Sequence, residues 1–546
     1  MTSLAAKPHA SAPFDRVDVW PAFTNWPERR YFQLCLAVSA MFFLVCSVLS
    51  VGSYQGDEYF QIVEFASSKL SLTNAADLTW EYHAQMRPWL QPAIYAGVAR
   101  AAELVGIHRP LTWLFLFRLL TAIVAWGSLW TLVAAGHRWV DGESGRRRLY
   151  AIAALLWLLP YLGARTSAET MATAALCFGI AFLEWRLTMP ERWRRFGLAA
   201  LGGLAFGLCF EFRYASGVLP AGASLWYLWQ SKGRLSLFAG LTLGALLALA
   251  IGGVADWWGY GHITFPAYWY VYKNFVLGRA NDFGTSPFFA YLYLPLTTAG
   301  VMAPLVLALL VATVTAWLTR RRSVLTWASA PYVMLLSIAP HKEVRFLFPL
   351  VPFLPFFVTF TFFSPLPVRA RLASFIQRFA SGFWLKLAYL LNAFGLLWVV
   401  LLPQWSRAPL YAHVEDESFA ANAPLAIAVV SARHQRPYEF INTRMEFLEP
   451  KNLHWIMDPP VTELEAGAFA AQAVPRADRY SGAFLGLGRL DSKPMPICLV
   501  DLSALAATLQ FQRLAGTVVL VGVVPLRRPR LIASLIAYRE FVSNRA

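Results

Sequence analysis

The sequence predicts an all-α polytopic membrane protein that ends in a small α/β or β-rich domain, and three observations predict it. Hydrophobic residues fill 58% of the 546 positions against 14% charged, and the mean hydropathy is positive. Apolar runs of about twenty residues, the length a helix needs to cross a bilayer, recur from Tyr31 to residue 402. Beyond that point the runs become short and β-branched, as in Thr517 to Val524, and turn residues interrupt them. About 11 transmembrane helices are expected in residues 31–402, with a cytoplasmic tail at 1–30 and an extracytoplasmic domain at 403–546.

The first span is Tyr31 to Val51. No small-residue cleavage signal follows it, so it reads as a retained anchor, and Lys7, Arg29 and Arg30 place its start in the cytoplasm. Residues 52–88 form the first outer loop, where Ile62, Phe65, Ala66 and Leu70 stand at helical spacing and predict an amphipathic helix lying in the membrane interface.

Apolar segments follow near 89–106, 111–135, 149–163, 170–187, 196–229 and 235–255. Two topologies fit them. Either all six cross, which puts Arg146 to Arg148 on the side of Asp57, or 89–106 does not cross and 196–229 splits near Arg213, which puts His137 to Arg148 and Arg186 to Arg195 in the cytoplasm. Both return residues 256–287 to the side of Asp57. Spans near 296–318, 324–339, 346–363 and 383–402 then alternate, with the Arg320 to Arg322 loop and the loop holding Arg371 and Arg378 cytoplasmic by charge. Asp57, the 256–287 loop, His341 to Arg345 and the tail therefore share the outer face.

A net charge of +16 could point to nucleic acid, but the cations sit in short loops between apolar runs, as topology signals do, and no nucleic-acid partner is expected. Four of the five cysteines lie in apolar segments and the fifth, Cys498, stands alone, so no disulfide framework is indicated. No Cys/His metal spacing appears, and neither a metal nor another cofactor is expected.

Two polar clusters interrupt this pattern. Gly56-Asp57-Glu58 places adjacent carboxylates at the end of the first span, and His341-Lys342-Glu343-Val344-Arg345 places three cations between two later spans. A carboxylate at a wet cavity can take a proton, and clustered Lys and Arg can hold a phosphate. A solvated acidic loop and a snorkelling basic anchor are the structural alternatives. Arg87, Arg165, Glu169 and Arg213 are further charges at or inside apolar stretches, where they must pair, face the interior or line a groove.

These clusters sit in blocks that resemble a known family. GDEYFQ, then LTWEYHAQMRPWLQP (Leu78 to Pro92), ARTSAET (Ala164 to Thr170), YKNFVLGRANDFGTSP (Tyr272 to Pro287) and HKEVRFLFPLVPF (His341 to Phe353) look like the GT-C mannosyltransferases of GPI-anchor and N-glycan assembly, in a bacterial-type member. The resemblance covers roughly residues 31–363. It departs at Ser167, which Ala168 follows where the family usually has Asn.

The resemblance implies an inverting glycosyltransferase that moves a hexose, mannose by family, from a polyprenyl-phosphate carrier to a glycan or glycolipid acceptor. The reaction would run at the extracytoplasmic face of a bacterial inner or ER-like membrane, with membrane lipid as a further partner. Asp57 becomes the general base, with Glu58 orienting the loop or touching acceptor; His341, Lys342 and Arg345 become the phosphate clamp. Trp80, Glu81, Arg87, Arg165, Trp257, Tyr260, Asn274 and Thr285 are candidate substrate contacts. The site is expected as one outward cavity holding Asp57, Glu58, His341, Lys342 and Arg345, with Asp57 roughly 6 to 15 Å from the basic side chains, the span of a hexose, and free of a tight salt bridge. The rival reading is a transporter or flippase of lipid-linked glycan, which would show matching broken helices in two halves; no such duplication is visible.

Overall fold

The computed structural model describes residues 26–420 apart from 232, 367–369, 402–403 and 405–407, then 443–451 and short strands between 425 and 518. The expected amino-terminal tail lies outside the described residues up to position 25, as does much of the expected carboxyl-terminal domain.

Eight helices among the described residues are long and apolar enough to cross a membrane. They include α1 (Trp26–Leu49), α2 (Pro110–Gly136), α3 (Ala168–Thr188), α4 (Arg192–Phe212) and α5 (Arg234–Tyr260), with the remainder at Gly300–Thr319, Val344–Phe362 and Gly382–Leu401. Val324–Ile338 is a shorter apolar helix, and Gly142–Leu155, Leu158–Gly163 and Val218–Gln230 are further helices of the bundle. About 11 spans are expected from the sequence, and eight helices among the described residues meet the length and apolarity of a span. The Leu90–Leu104 helix does not pass, since both ends hold to one surface: Trp89 N–H donates to Asp256 at the end of α5, and Arg100 to the Lys69 carbonyl.

Ion pairs decide between the two topologies. Arg146 pairs with Glu28 at the start of α1, 2.6 Å away, so Arg146 to Arg148 lie at the surface opposite Asp57. Arg138 bridges to Glu184 at the end of α3, and Trp226 donates to the Arg322 carbonyl. The arginine loops thus gather at one surface, and the 196–229 segment breaks at Arg213. These contacts fit the reading in which 89–106 does not cross and 196–229 splits near Arg213.

Close packing in this bundle needs small residues. At Gly203 and Gly244 the backbones of α4 and α5 touch: a Cβ at Gly203 would stand 2.2 Å from the Leu241 carbonyl oxygen and one at Gly244 2.0 Å from that of Ala200.

The first outer loop differs from expectation. Residues 56–69 form one helix with a π turn at Tyr59–Val63, but it is not an amphipathic helix in the interface, because Tyr59 to Ser67 are buried all round. The tail covers it: Tyr411, Val414, Met445, Phe447 and Leu448 join its core with Tyr95, Trp113 and Phe117. The tail itself carries a three-stranded parallel sheet ordered Leu453–Met457, Leu425–Val430, Ile497–Asp501.

Candidate active site

The two polar clusters meet. Arg345 Nη2 lies 2.6 Å from Asp57 Oδ2, although nearly three hundred positions separate them in sequence. Asp57 arrives on the first turn of the 56–69 helix, just past the end of α1; Arg345 opens the tight 3₁₀ run Val344–Phe353, which the Pro349 and Pro352 rings favour over an α-helix.

Arg345 is the hub. It also pairs with Glu343 at 2.7 Å and stands 3.9 Å from Glu169, which Arg213 approaches to 3.0 Å. Burial alone would raise the Asp57 carboxyl, but Arg345, with Arg87 and Arg213 beyond it, outweighs burial and holds it below the usual carboxylate range. The Glu343 carboxyl is likewise held down by Arg345 against its burial. Glu58 behaves in the opposite way. It is enclosed, one oxygen accepts from Tyr54 N–H at 3.0 Å and the other has no hydrogen-bond partner among the described residues, so burial lifts it to about 7 despite Arg165. Adjacent acids therefore carry different charge at neutral pH: Asp57 ionised, Glu58 shared between forms.

The expected 6 to 15 Å gap is not observed. Asp57 is in direct contact with Arg345 because the guanidinium reaches across the cluster to satisfy three carboxylates at once. The other two clamp cations point elsewhere. Lys342 Nζ donates to the carbonyls of Ser286 (2.9 Å) and Ala339 (2.5 Å), and His341 bonds Glu343 on one ring nitrogen and the Gly284 carbonyl on the other. They fasten the 256–287 loop to the Pro340 turn, where Ser286 N–H also donates to the Pro340 carbonyl.

Three candidate substrate contacts are hydrogen-bonded within the protein. Arg165 is fully buried and donates to the Ser50 and Gly52 carbonyls and the Ser50 hydroxyl, closing the carboxyl end of α1 with Arg118, which donates to the Ser47 carbonyl. Tyr260 donates to the Arg87 carbonyl and accepts from its N–H. Asn274 spends its amide on the Tyr270 carbonyl one turn back. Trp80 remains on the surface, stacked on Phe283, while Glu81 is buried between Gln61 and Arg87. Trp257 is exposed on α5.

A small open cavity lies beside the cluster, lined by Gln61, Met86, Arg87, Gln91, Arg213 and Tyr270 among others. None of Asp57, Glu58, His341, Lys342 and Arg345 is among the residues that line this cavity. The sequence marked Arg87 and Arg213 as charges in apolar surroundings, yet nothing in it singled out Gln61, Gln91 or Tyr270.

Fold and site define a polytopic membrane protein with a dense acid and guanidinium cluster at one of its two surfaces. Residues 34–442 match the Alg9-like mannosyltransferase family, and the chain belongs to that family, whose GT-C architecture the motif blocks imply. Among its relatives, GPI mannosyltransferase 3 of Yarrowia lipolytica is 28% identical over 58% of this chain and 60% of its own. GPI alpha-1,2-mannosyltransferase 3 of Xenopus laevis is 23% identical over 76% and 74%. The chain thus spans about 60% of the length of the first of these relatives. The solved structure of ArnT from Cupriavidus metallidurans bound to undecaprenyl phosphate aligns at a TM-score of 0.48 with 13% identity, over 80% of this chain and 87% of that one.

Proposed function

We propose that the protein is an inverting mannosyltransferase that uses a polyprenyl-phosphate-linked mannose and acts on a glycan or glycolipid at the extracytoplasmic surface. One observation carries the reading: in a member of a mannosyltransferase family, an ionised Asp57 stands against Arg345 beside a cavity walled by Arg87 and Arg213. Asp57 accepts the proton of the acceptor hydroxyl as its oxygen bonds to the anomeric carbon. The bond from that carbon to the carrier's phosphate oxygen breaks with its electron pair, and the arginines stabilise the phosphate that leaves.

A phosphate entering the cluster competes with Asp57 for Arg345. Binding of donor therefore frees the base at the moment it is needed, which reconciles the observed ion pair with catalysis. The gathering of arginine loops at the opposite surface supports an outward-facing Asp57.

The test is transfer from radiolabelled polyprenyl-phosphate mannose to a host lipid extract by purified enzyme. Asp57→Asn, folded and inserted, is expected to lose about 10²- to 10⁴-fold in turnover. Near wild-type turnover in that variant, or a wild-type protein that moves labelled lipid across vesicles without transferring sugar, defeats the reading.

A further inference from the structure

Between the end of α5 and the next span, residues 261–299 join the two on the Asp57 surface, and they are dressed unlike a loop in water. Ile263, Phe265, Phe275, Val276, Phe283 and Phe289 are each more than half exposed. Buried, such aromatic side chains would each remove about 150 to 250 Å² from water, and contiguous apolar patches beyond a few hundred Å² are rare on water-facing monomer surfaces.

The same segment is tied to the site on its other side. Lys342 and His341 hold the Ser286 and Gly284 carbonyls, Tyr270 lies under the Arg87 guanidinium, and Thr264 donates to Gln85. The apolar residues are therefore not a surplus core: the polar grip is already made, and they face outward from it.

What covers them follows from continuity. The stripe of α5 that faces away from the bundle, with Leu243, Leu246 and Val254 exposed, leads straight into exposed Trp257 and Trp258, the residue type that settles at the headgroup level, and then into Ile263 and Phe265. Both ends of the segment are fixed at one surface of the bundle by spanning helices. Its charges, Arg279 and Asp282, are exposed and paired to each other, and Lys273 lies over the Trp269 ring.

We infer that residues 263–292 lie in the membrane leaflet on the Asp57 side, with Phe265, Phe275 and Phe289 seated at the boundary of headgroups and acyl chains. The leaflet is then a structural partner of the site, because the element it holds is the one that Lys342 and His341 clasp. The inference does not depend on which reaction the site performs.

Spin-label accessibility tests it in the full chain, reconstituted in phosphatidylcholine vesicles. Four cysteines are buried, so Cys498→Ser leaves a background for single labels at Phe265→Cys, Phe275→Cys and Phe289→Cys, with exposed Asp77→Cys as the water reference. Collision with dissolved oxygen is expected to exceed collision with a water-soluble nickel complex severalfold at the three phenylalanine positions, and the order to reverse at position 77. Nickel access equal to that at position 77 places the segment in water and overturns the inference. So does protection from both reagents, which would mean that another part of this chain or a second copy covers it.

Discussion

Asp57 and Arg345 show how a single contact sets the conditions for a reaction. Three guanidiniums, Arg87, Arg213 and Arg345, act on one carboxylate and hold it ionised, and the same positive charge is available to a phosphate. A site so supplied has the charge that a divalent ion would otherwise bring. Transfer is therefore expected to survive EDTA; loss restored by manganese or magnesium would make Asp57 and Glu58 metal ligands. Glu64, about two turns further along the helix, gives a pH signature. It is buried, accepts from Thr73 and from Phe447 N–H, and burial lifts it to about 7 from an ordinary 4.5. A carboxyl whose folded pKa is raised binds its proton more tightly in the fold, so its contribution favours the fold below about 4.5, is lost as pH climbs to about 7, and stays lost above. The difference is on the order of 3 kcal/mol. Thermal unfolding in detergent should give a higher midpoint at pH 5 than at pH 8, and Glu64→Gln should flatten that slope; an unchanged slope removes Glu64 as its source. The Asp57 and Arg345 motifs could be read from sequence because acids and clustered cations between apolar runs have few uses. Their contact could not, since the reach of one guanidinium to three carboxylates depends on where Glu169 and Glu343 come to lie.

The carboxyl end of α1 is the element that carries Asp57 into place. Its last carbonyls would be orphaned in a buried setting, and Arg118 and Arg165 take them without any carboxylate partner. From sequence, a lone arginine in an apolar stretch looks the same whether it lines a groove or closes a helix, so the bonds of Arg165 to Ser50 and Gly52 could not be read there. The two roles separate in experiment. Arg165→Met is expected to cost about 1.5–3 kcal/mol for each charge-assisted bond lost, lowering the unfolding midpoint and turnover together. A raised KM for donor at unchanged stability would return Arg165 to the substrate. The break of the 196–229 segment at Arg213 was legible as an alternative, since a charge inside an apolar run must end near water or a partner; the partner turned out to be Glu169.

Across the whole molecule, residues 411–448 of the tail include side chains that pack against the helix bearing Asp57. Phe447 packs on Trp113 and Phe117 while its N–H donates to Glu64, and Glu415 accepts from Leu111 N–H. Phe447→Ala should cost about 3–5 kcal/mol and make the first loop sensitive to protease added on the Asp57 side, whereas resistance equal to wild type would show that the tail only rests there. The spans themselves were legible, because a bilayer demands length and apolarity that a sequence states openly. This contact was not, since it joins segments from opposite ends of the chain through ordinary apolar residues without a motif. The order of synthesis gives that contact a further meaning. The helix bearing Asp57 leaves the ribosome early, and Phe447 of its cover follows 383 residues behind Glu64. Until then Tyr59, Phe60 and Val63 stand uncovered. A chain stopped before residue 411 can be fully threaded through the membrane and still present an unfinished surface to quality control.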